Sequence, residues 1–168
     1  MLIFAYGSNM NINRLRERVP SASKLTIAYL KGYNLFCNKI SNDGSAKANI
    51  TNSDNESNKV WGVLFVIDDH EKTNLDKAEG LGKGYNEMQL TFHDLKDQEY
   101  QAQVYVADEN CIDDELKPYD WYHEYILSGA RQNQLPESYI TSIETLKFEI
   151  DANSERRNKH FGIINSLK

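Results

Sequence analysis

The order of apolar segments along the chain predicts an α+β fold with a mostly antiparallel or mixed β-sheet that can close into a small barrel. Strand-like segments come first, a short helix interrupts them, two more strands follow, and helical segments end the chain. Strands and helices do not alternate regularly, which argues against a parallel α/β sheet. Residues 59–67 are apolar on both faces of a strand, so we expect this strand in the centre of the sheet.

The first strand leads directly into a polar turn and a helix. Residues 2–6 form an apolar run that is typical of a buried strand, and Gly7, Ser8 and Asn9 then favour a turn and a helix N-cap. A helix is expected over residues 11–18. Such a turn directs several backbone N–H groups into one concavity, which suits a carboxylate or a phosphate. An ordinary strand-to-helix turn is the alternative.

The remaining elements follow from the same patterns. Further strands are predicted from runs of β-branched and aromatic residues, at residues 24–38 with a bend or bulge at Gly32, 46–51, 59–67, 86–93 and 100–107. Further helices are predicted after capping or proline residues, at residues 71–78, at 119–132, and in a shorter stretch from Pro136.

The length of the chain predicts a single domain. Its 168 residues are enough for one hydrophobic core, and no repeat, low-complexity block or linker divides them. We expect the domain to cover residues 1–150. Residues 151–168 are mostly polar and are expected to form a tail or a helix.

Composition and charge exclude several classes of partner. With 19 basic and 25 acidic side chains, the formal net charge is −6, which makes the protein a poor candidate for binding nucleic acid. No apolar run approaches the roughly 20 residues that span a membrane, and no basic segment precedes the first apolar run as in a signal peptide. A cytoplasmic protein is expected, with Cys37 and Cys111 as reduced thiols.

No metal site or activated cysteine is predicted. The four histidines show no ligand spacing with each other or with a cysteine. A Cys–His nucleophile is conceivable at Cys37 or Cys111, but nothing nearby in the sequence activates either thiol, and inert buried cysteines are the simpler interpretation.

The glycines at 80, 82 and 84 resemble a phosphate-binding loop only superficially. They lack the Gly-Lys-Ser/Thr ending of a P-loop and follow a helix rather than a strand, so a flexible turn is expected. Glu79 precedes this turn directly. Half-burial of a carboxyl group there favours its protonated form and suits a general acid/base. A solvated glutamate at a helix end is the alternative.

Four stretches of the chain together resemble the γ-glutamylcyclotransferase family, which includes γ-glutamylamine cyclotransferases and AIG2-like proteins. They are Tyr6-Gly7-Ser8-Asn9-Met10, Trp61-Gly62-Val63-Leu64-Phe65, Asp76-Lys77-Ala78-Glu79-Gly80, and residues 122–130 with their Tyr-Ile-x-x-Gly-Ala ending. The resemblance covers about residues 2–140. It implies a small mixed β-barrel flanked by helices, with the ligand at one mouth.

The resemblance also implies roles for particular residues. Tyr6, Gly7, Ser8, Asn9 and Met10 correspond to the loop whose backbone N–H groups hold the glutamyl α-carboxylate. Glu79 corresponds to the catalytic acid/base. The resemblance also implies that Arg14 lies close to this loop and that Tyr105 and Tyr85 line the pocket.

The reaction that the resemblance implies is the cyclisation of a γ-glutamyl compound to 5-oxoproline, with release of an amine or amino acid. One carboxyl group that takes a proton from the α-amine and gives one to the leaving amine is sufficient, and neither a metal nor a cofactor is required. Two alternatives remain: an AIG2-like protein that binds such a molecule without turnover, and simple amide hydrolysis.

The identity of the leaving amine is not determined by the sequence. An amino acid, a lysine side chain, a small amine and an antibiotic intermediate are all compatible with it. The leaving side of the pocket is expected in the loops at residues 41–58 and 110–118. The protein is expected to be a monomer or a homodimer.

Overall fold

The fold is centred on a closed barrel of five strands. The structure is a computed structural model that describes residues 1–166. The strands of the barrel are β1 (Leu2–Ala5), β2 (Ser23–Lys31), β5 (Lys59–Val66), β6 (Tyr85–His93) and β7 (Glu99–Ala107). They are arranged in the order β1-β5-β2-β6-β7. The β1–β7 pair that closes the barrel is parallel and the other pairs are antiparallel, so the prediction of a small mixed barrel is confirmed.

The two strands that remain form a separate hairpin. They are β3 (Tyr33–Ile40) and β4 (Ala46–Asn52), which pair with each other in an antiparallel two-stranded sheet. The sequence predicted one extended segment over residues 24–38 with a bend or bulge at Gly32. The bend is present, with a φ of +71° at Gly32, but it divides the segment between two sheets. The hairpin of β3 and β4 is therefore not part of the barrel.

The predicted central strand is confirmed. β5 pairs with β1 on one side and with β2 on the other. Val63, Leu64 and Phe65 are completely buried, as a strand with two apolar faces requires. Gly62 allows β1 to approach closely, since a Cβ at this position would lie 2.3 Å from the carbonyl oxygen of Ala5.

Five α-helices accompany the strands. They are α1 (Ile12–Arg18), α2 (Lys72–Glu79), α3 (Asp120–Gln132), α4 (Glu137–Glu144) and α5 (Ser154–Ile164). The side chain of Asn11 caps α1, and that of Asn153 caps α5. The helix α5 lies in the polar segment for which the sequence predicted a tail or a helix, and residues 167–168 of that segment lie outside the described residues.

The helix α3 packs against the turn that follows β1. Its Gly129 lies so close to this turn that an added Cβ would be 2.6 Å from the backbone nitrogen of Asn11. Trp121, Tyr125 and Ile126 of α3 are buried in the main hydrophobic core. These contacts fix the position of the turn over one end of the barrel.

Within residues 1–166 the longest helix has 13 residues, and no helix there is both long enough and apolar enough to cross a membrane.

Candidate active site

A small cavity lies between the turn after β1, the end of α2 and the hairpin. It has about 340 Å³ of space that atoms do not fill. Its lining residues come from β1, the turn after it, β4, the end of α2, β6, β7 and α3, and are Phe4, Ala5, Tyr6, Gly7, Ser8, Asn9, Ala48, Glu79, Tyr85, Tyr105 and Tyr122. The structure therefore brings together at one cavity most of the residues that the sequence singled out.

The turn after β1 presents unused backbone donors. Residues Ser8–Met10 form a single 3₁₀ turn, in which the N–H of Met10 donates to the carbonyl of Gly7 at 3.0 Å. The N–H groups of Gly7, Ser8 and Asn9 donate no turn hydrogen bond to any residue within 1–166. Consecutive free N–H groups of this kind make an anion-binding concavity. The order of strand, tight turn and helix that the sequence predicted is present.

Glu79 is the last residue of α2 and contacts this turn. The helix ends there because Gly80 adopts a left-handed conformation, with a φ of 69°. The side chain of Glu79 is 16% exposed. Its Oε1 accepts a hydrogen bond from Asn9 Nδ2 at 2.9 Å and forms an ion pair with Arg18 Nη1. Its Oε2 accepts no hydrogen bond from residues 1–166, which leaves this oxygen available to a ligand.

Arg18 completes a triangle with Glu79 and Asn9. Its Nη1 also donates to Asn9 Oδ1 at 2.7 Å. Arg18 was not among the residues predicted from the sequence, although helical periodicity contains a signal for it. Arg14, which was among them, lies four residues earlier in α1, and side chains four apart share a helix face.

Three tyrosines form a rigid wall of the cavity. The hydroxyl of Tyr6 donates to the carbonyl of Tyr105, and that of Tyr85 donates to the carbonyl of Ala48, both at 2.6 Å. The hydroxyl of Tyr105 donates to Asp76 Oδ1 at 2.6 Å. Burial is the main cause that raises the pKa of each of these phenols. They are therefore neutral hydroxyl groups at neutral pH, and their hydrogens are engaged in holding the wall.

Tyr122 differs from the other tyrosines because its hydrogen is free. Its hydroxyl oxygen accepts a hydrogen bond from the N–H of Ala48 at 3.0 Å and donates none to residues 1–166. Burial raises the pKa of Tyr122 to about 12. From the sequence, Tyr122 was predicted only as part of a helix that resembles the family, without a role of its own. Because Tyr122 lines the cavity, its hydroxyl hydrogen is available to a ligand there.

Arg14 lies behind the turn, as the resemblance implied. Its Nε donates to Ser8 Oγ at 3.1 Å, and its guanidinium lies 4.4 Å from the centre of the Tyr125 ring. Burial, followed by the charge of Arg18, lowers the pKa of Arg14. The side chain of Met10, by contrast, does not line the cavity. It is completely buried, because the turn directs it into the core against Gly129.

A second, outer cavity continues from the first. It has about 670 Å³ of unfilled space and shares Ser8, Glu79, Tyr85 and Tyr122 with the inner cavity. Its other lining residues come from α1, the end of α2, the hairpin, α3 and α5, and are Arg14, Arg18, Lys39, Ser41, Asp43, Lys47, Ala78, Trp121 and His160. Of the two loops expected on the leaving side, residues 41–58 contribute to it. Residues 114–118 line a separate cavity beside Cys37.

Two basic groups of the outer cavity have shifted pKa values. Burial lowers the pKa of Lys47 to about 8, although Asp43 opposes this by accepting a hydrogen bond from its ammonium group at 2.7 Å. Burial, with the nearby charge of Arg14, lowers the pKa of His160 to about 4. The imidazole, which stacks on Trp121, is therefore neutral at pH 7.

The cysteines and histidines do not form a second chemical centre in the described residues. Both cysteines are free, and burial raises the pKa of Cys37 to about 12, so its thiol is protonated at neutral pH. Within residues 1–166, no group of three or more His, Cys, Asp or Glu side chains is arranged to hold a metal ion.

Comparison with solved structures defines the class of fold. A solved structure named gamma-glutamyl cyclotransferase superposes with a TM-score of 0.81 and 24% identity, covering 95% of this chain and 98% of that one. The barrel, its hairpin and the flanking helices therefore form a γ-glutamylcyclotransferase-like fold.

Comparison of sequences then gives the family. The model of the AIG2-like family matches residues 59–143, and the chain belongs to that family. It is 27% identical over 150 residues to the Bos taurus protein named gamma-glutamylcyclotransferase, covering 87% of this chain and 78% of that protein. The Homo sapiens protein of the same name is 25% identical over 150 residues with the same coverage. The resemblance seen in the four sequence stretches is confirmed.

Proposed function

We propose that the protein is a γ-glutamyl cyclotransferase in which Glu79 is the general acid/base. The observation that carries the proposal is the position of Glu79 at the same cavity as the free N–H groups of Gly7, Ser8 and Asn9. One part of the site suits a carboxylate, and a carboxyl group capable of proton transfer lies beside it. The names of the sequence relatives support the same reaction.

The glutamyl end of the substrate binds at the turn after β1. Its α-carboxylate accepts hydrogen bonds from the free N–H groups of the turn, which form an anion site without a side-chain charge. Arg14 adds a positive charge behind Ser8. Fixing this end of a flexible substrate favours the folded conformation in which the α-nitrogen lies about 3 Å from the γ-carbonyl carbon.

Glu79 then transfers two protons. The α-amine of the substrate is an ammonium group at neutral pH and must lose a proton before it attacks. Oε2 of Glu79 accepts this proton, the nitrogen forms a bond to the γ-carbonyl carbon, and the bond to the leaving nitrogen breaks. Glu79 passes this first proton to the leaving nitrogen as that bond breaks. It then takes the second proton from the ring nitrogen and gives it to the released amine, so that the products are 5-oxoproline and an ammonium ion and Glu79 is again a carboxylate. General acid–base assistance of this kind contributes about 10²- to 10⁴-fold.

Tyr122 stabilises the oxygen of the tetrahedral intermediate. Its hydroxyl hydrogen has no acceptor within residues 1–166, and the hydrogen bond from Ala48 orients its oxygen. A neutral donor placed beside a developing oxyanion lowers the barrier because it requires no rearrangement during the reaction.

The experiment that tests the proposal is Glu79→Gln. The amide is nearly isosteric and keeps a contact to Asn9, but it cannot accept the proton. We expect the release of 5-oxoproline from γ-glutamyl amino acids and γ-glutamylamines to fall by about 10² to 10⁴, with an unchanged circular-dichroism spectrum. Glu99→Gln, at the exposed far end of β7, is the matched control and retains full activity.

Each other outcome identifies a different function. Normal turnover by Glu79→Gln contradicts the mechanism. Tight binding of γ-glutamyl compounds by the unaltered protein without any product supports the non-catalytic AIG2-like alternative. Free glutamate in place of 5-oxoproline supports hydrolysis.

A further inference from the structure

The outer cavity has an excess of positive charge although the chain as a whole is acidic. The side chains that line it include four cations, Arg14, Arg18, Lys39 and Lys47, and two carboxylates, Asp43 and Glu79. Two positive charges are therefore left over in a protein whose formal net charge is −6. Focused charge of one sign in a cleft attracts a ligand of the opposite sign.

Two of the four cations are paired and two are not. Arg18 pairs with Glu79, and Lys47 pairs with Asp43. No carboxylate within residues 1–166 lies at ion-pair distance from Arg14 or Lys39. Both unpaired side chains are partly buried, so water compensates them less than it would at an open surface.

The hairpin places two of these cations directly opposite each other. Lys39 of β3 is the cross-strand partner of Lys47 of β4, next to a register shift between Cys37 and Lys39. Like charges in directly opposed positions destabilise a β-ladder. Two opposed lysines beside a cavity are expected where a bound ligand supplies the compensating negative charge.

The surroundings of Lys39 hold its ammonium group near the inner cavity. Its Nζ lies 5.1 Å from the centre of the Tyr85 ring, and Tyr85 lines both cavities. Gly84 allows this approach, since a Cβ there would be 2.7 Å from Lys39 Nζ. Lys39 is thus close to the position where the amine part of a substrate leaves the inner cavity.

We propose that the outer cavity binds the amine part of the substrate and selects an amine part with two negative charges, such as a dicarboxylic amino acid. The inference rests on the proposed function. The γ-glutamyl unit carries one carboxylate and one ammonium group, so its binding does not change the charge of the site. The two surplus positive charges are therefore matched by two carboxylates on the leaving part, with Lys39 as the residue that recognises the second one.

The experiment compares three substrates that differ in the charge of the leaving part. They are γ-glutamylmethylamine, γ-glutamylalanine and γ-glutamylglutamate, with zero, one and two leaving-part carboxylates. We expect kcat/KM for 5-oxoproline release to rise roughly tenfold with each added carboxylate, as for one charge-assisted hydrogen bond. Lys39→Gln is expected to remove the increase in kcat/KM from γ-glutamylalanine to γ-glutamylglutamate. The control is Lys83→Gln, which removes an exposed lysine from the adjacent glycine turn and is expected to leave both increases in kcat/KM unchanged.

A binding measurement separates failure of this inference from failure of the proposed function. The same three compounds are titrated calorimetrically into the Glu79→Gln protein. Equal kcat/KM values with normal release of 5-oxoproline overturn the charge selection and leave the reaction intact. Preferential binding of γ-glutamylglutamate without product from the unaltered protein supports the charge selection and overturns the reaction. An unchanged preference in Lys39→Gln overturns the role of Lys39.

Discussion

At the scale of single residues, the environment of Glu79 determines how it can act. The triangle of Asn9, Arg18 and Glu79 uses only Oε1, so the carboxylate is oriented while Oε2 stays free. A partly buried carboxylate is costly without a partner, and Arg18 supplies one. Arg18 therefore positions the proposed base and need not take part in proton transfer.

Arg18→Gln tests this positioning role. A charge-assisted hydrogen bond contributes about 1.5 to 3 kcal/mol, so we expect kcat with γ-glutamylmethylamine to fall roughly ten- to hundredfold. Because this substrate has no leaving-part charge, its KM is expected to change less than kcat. Steady-state kinetics measure both constants.

Two further variants control this prediction. Arg16→Gln removes an exposed arginine from the same helix and is expected to leave both constants unchanged. Arg18→Lys keeps the charge and is expected to restore part of kcat. A rise in KM alone, with kcat intact, contradicts a role through Glu79.

At the scale of secondary-structure elements, the contact between α3 and the turn after β1 holds the site in shape. The backbone of the turn and the backbone of α3 meet at Gly129. The amide of Asn133, just after α3, also donates to the carbonyl of Met10 at 2.9 Å. The position of the turn therefore depends on this packing, together with the hydrogen bonds that Ser8 makes with Arg14 and Asn9 makes with Glu79.

Two helical glycines are expected to respond oppositely to alanine. At Gly129 an added Cβ would lie 2.6 Å from the nitrogen of Asn11, so Gly129→Ala is expected to lower the free energy of unfolding by about 1 to 3 kcal/mol. At Gly162 of α5 nothing lies within 4 Å of the new Cβ. Gly162→Ala is therefore expected to stabilise the protein by up to about 1 kcal/mol, the difference in helix propensity.

Urea unfolding curves of the two variants and the unaltered protein measure both changes. Release of 5-oxoproline is expected to fall in Gly129→Ala and to stay constant in Gly162→Ala. Equal effects of the two substitutions on stability would show that the close approach at Gly129 is not required.

At the scale of the whole molecule, the inner cavity is lined by residues from distant parts of the chain, between Phe4 and Tyr122. Tyr6 and Tyr122 both line it, although they lie far apart in the chain. The hydrophobic core includes buried residues of the barrel, the hairpin and the helices in one cluster. We therefore expect barrel and helices to unfold together as one cooperative unit.

The two tryptophans provide a test of this cooperativity. Trp61 lies in β5 of the barrel, and Trp121 lies in α3. In Trp121→Phe the fluorescence reports on the barrel, and in Trp61→Phe it reports on α3. Within each variant, the urea midpoint from fluorescence is expected to coincide with that from far-ultraviolet circular dichroism. Separate midpoints would indicate that the barrel and the helices are independent units.

The sequence by itself determined the elements of this fold because their signals are local. The helix expected over residues 11–18 is α1, although its N-cap is Asn11 and not a residue of the preceding turn. The two apolar faces of residues 59–67 identify a central strand without reference to its neighbours. Gly32 marked the bend after β2 for the same reason. The family resemblance added the association of Glu79 with the turn at Gly7 to Asn9.

Only the tertiary structure decided which side chains meet at the site. Arg18 and Glu79 are separated by 61 positions in the chain, and their contact depends on how α1 and α2 pack on the barrel. The pairing of Lys39 with Lys47 depends on hairpin register, and a shift of one residue would turn a side chain to the other face. Periodicity and capping act over a few residues, whereas contacts between distant segments depend on the packing of the entire core.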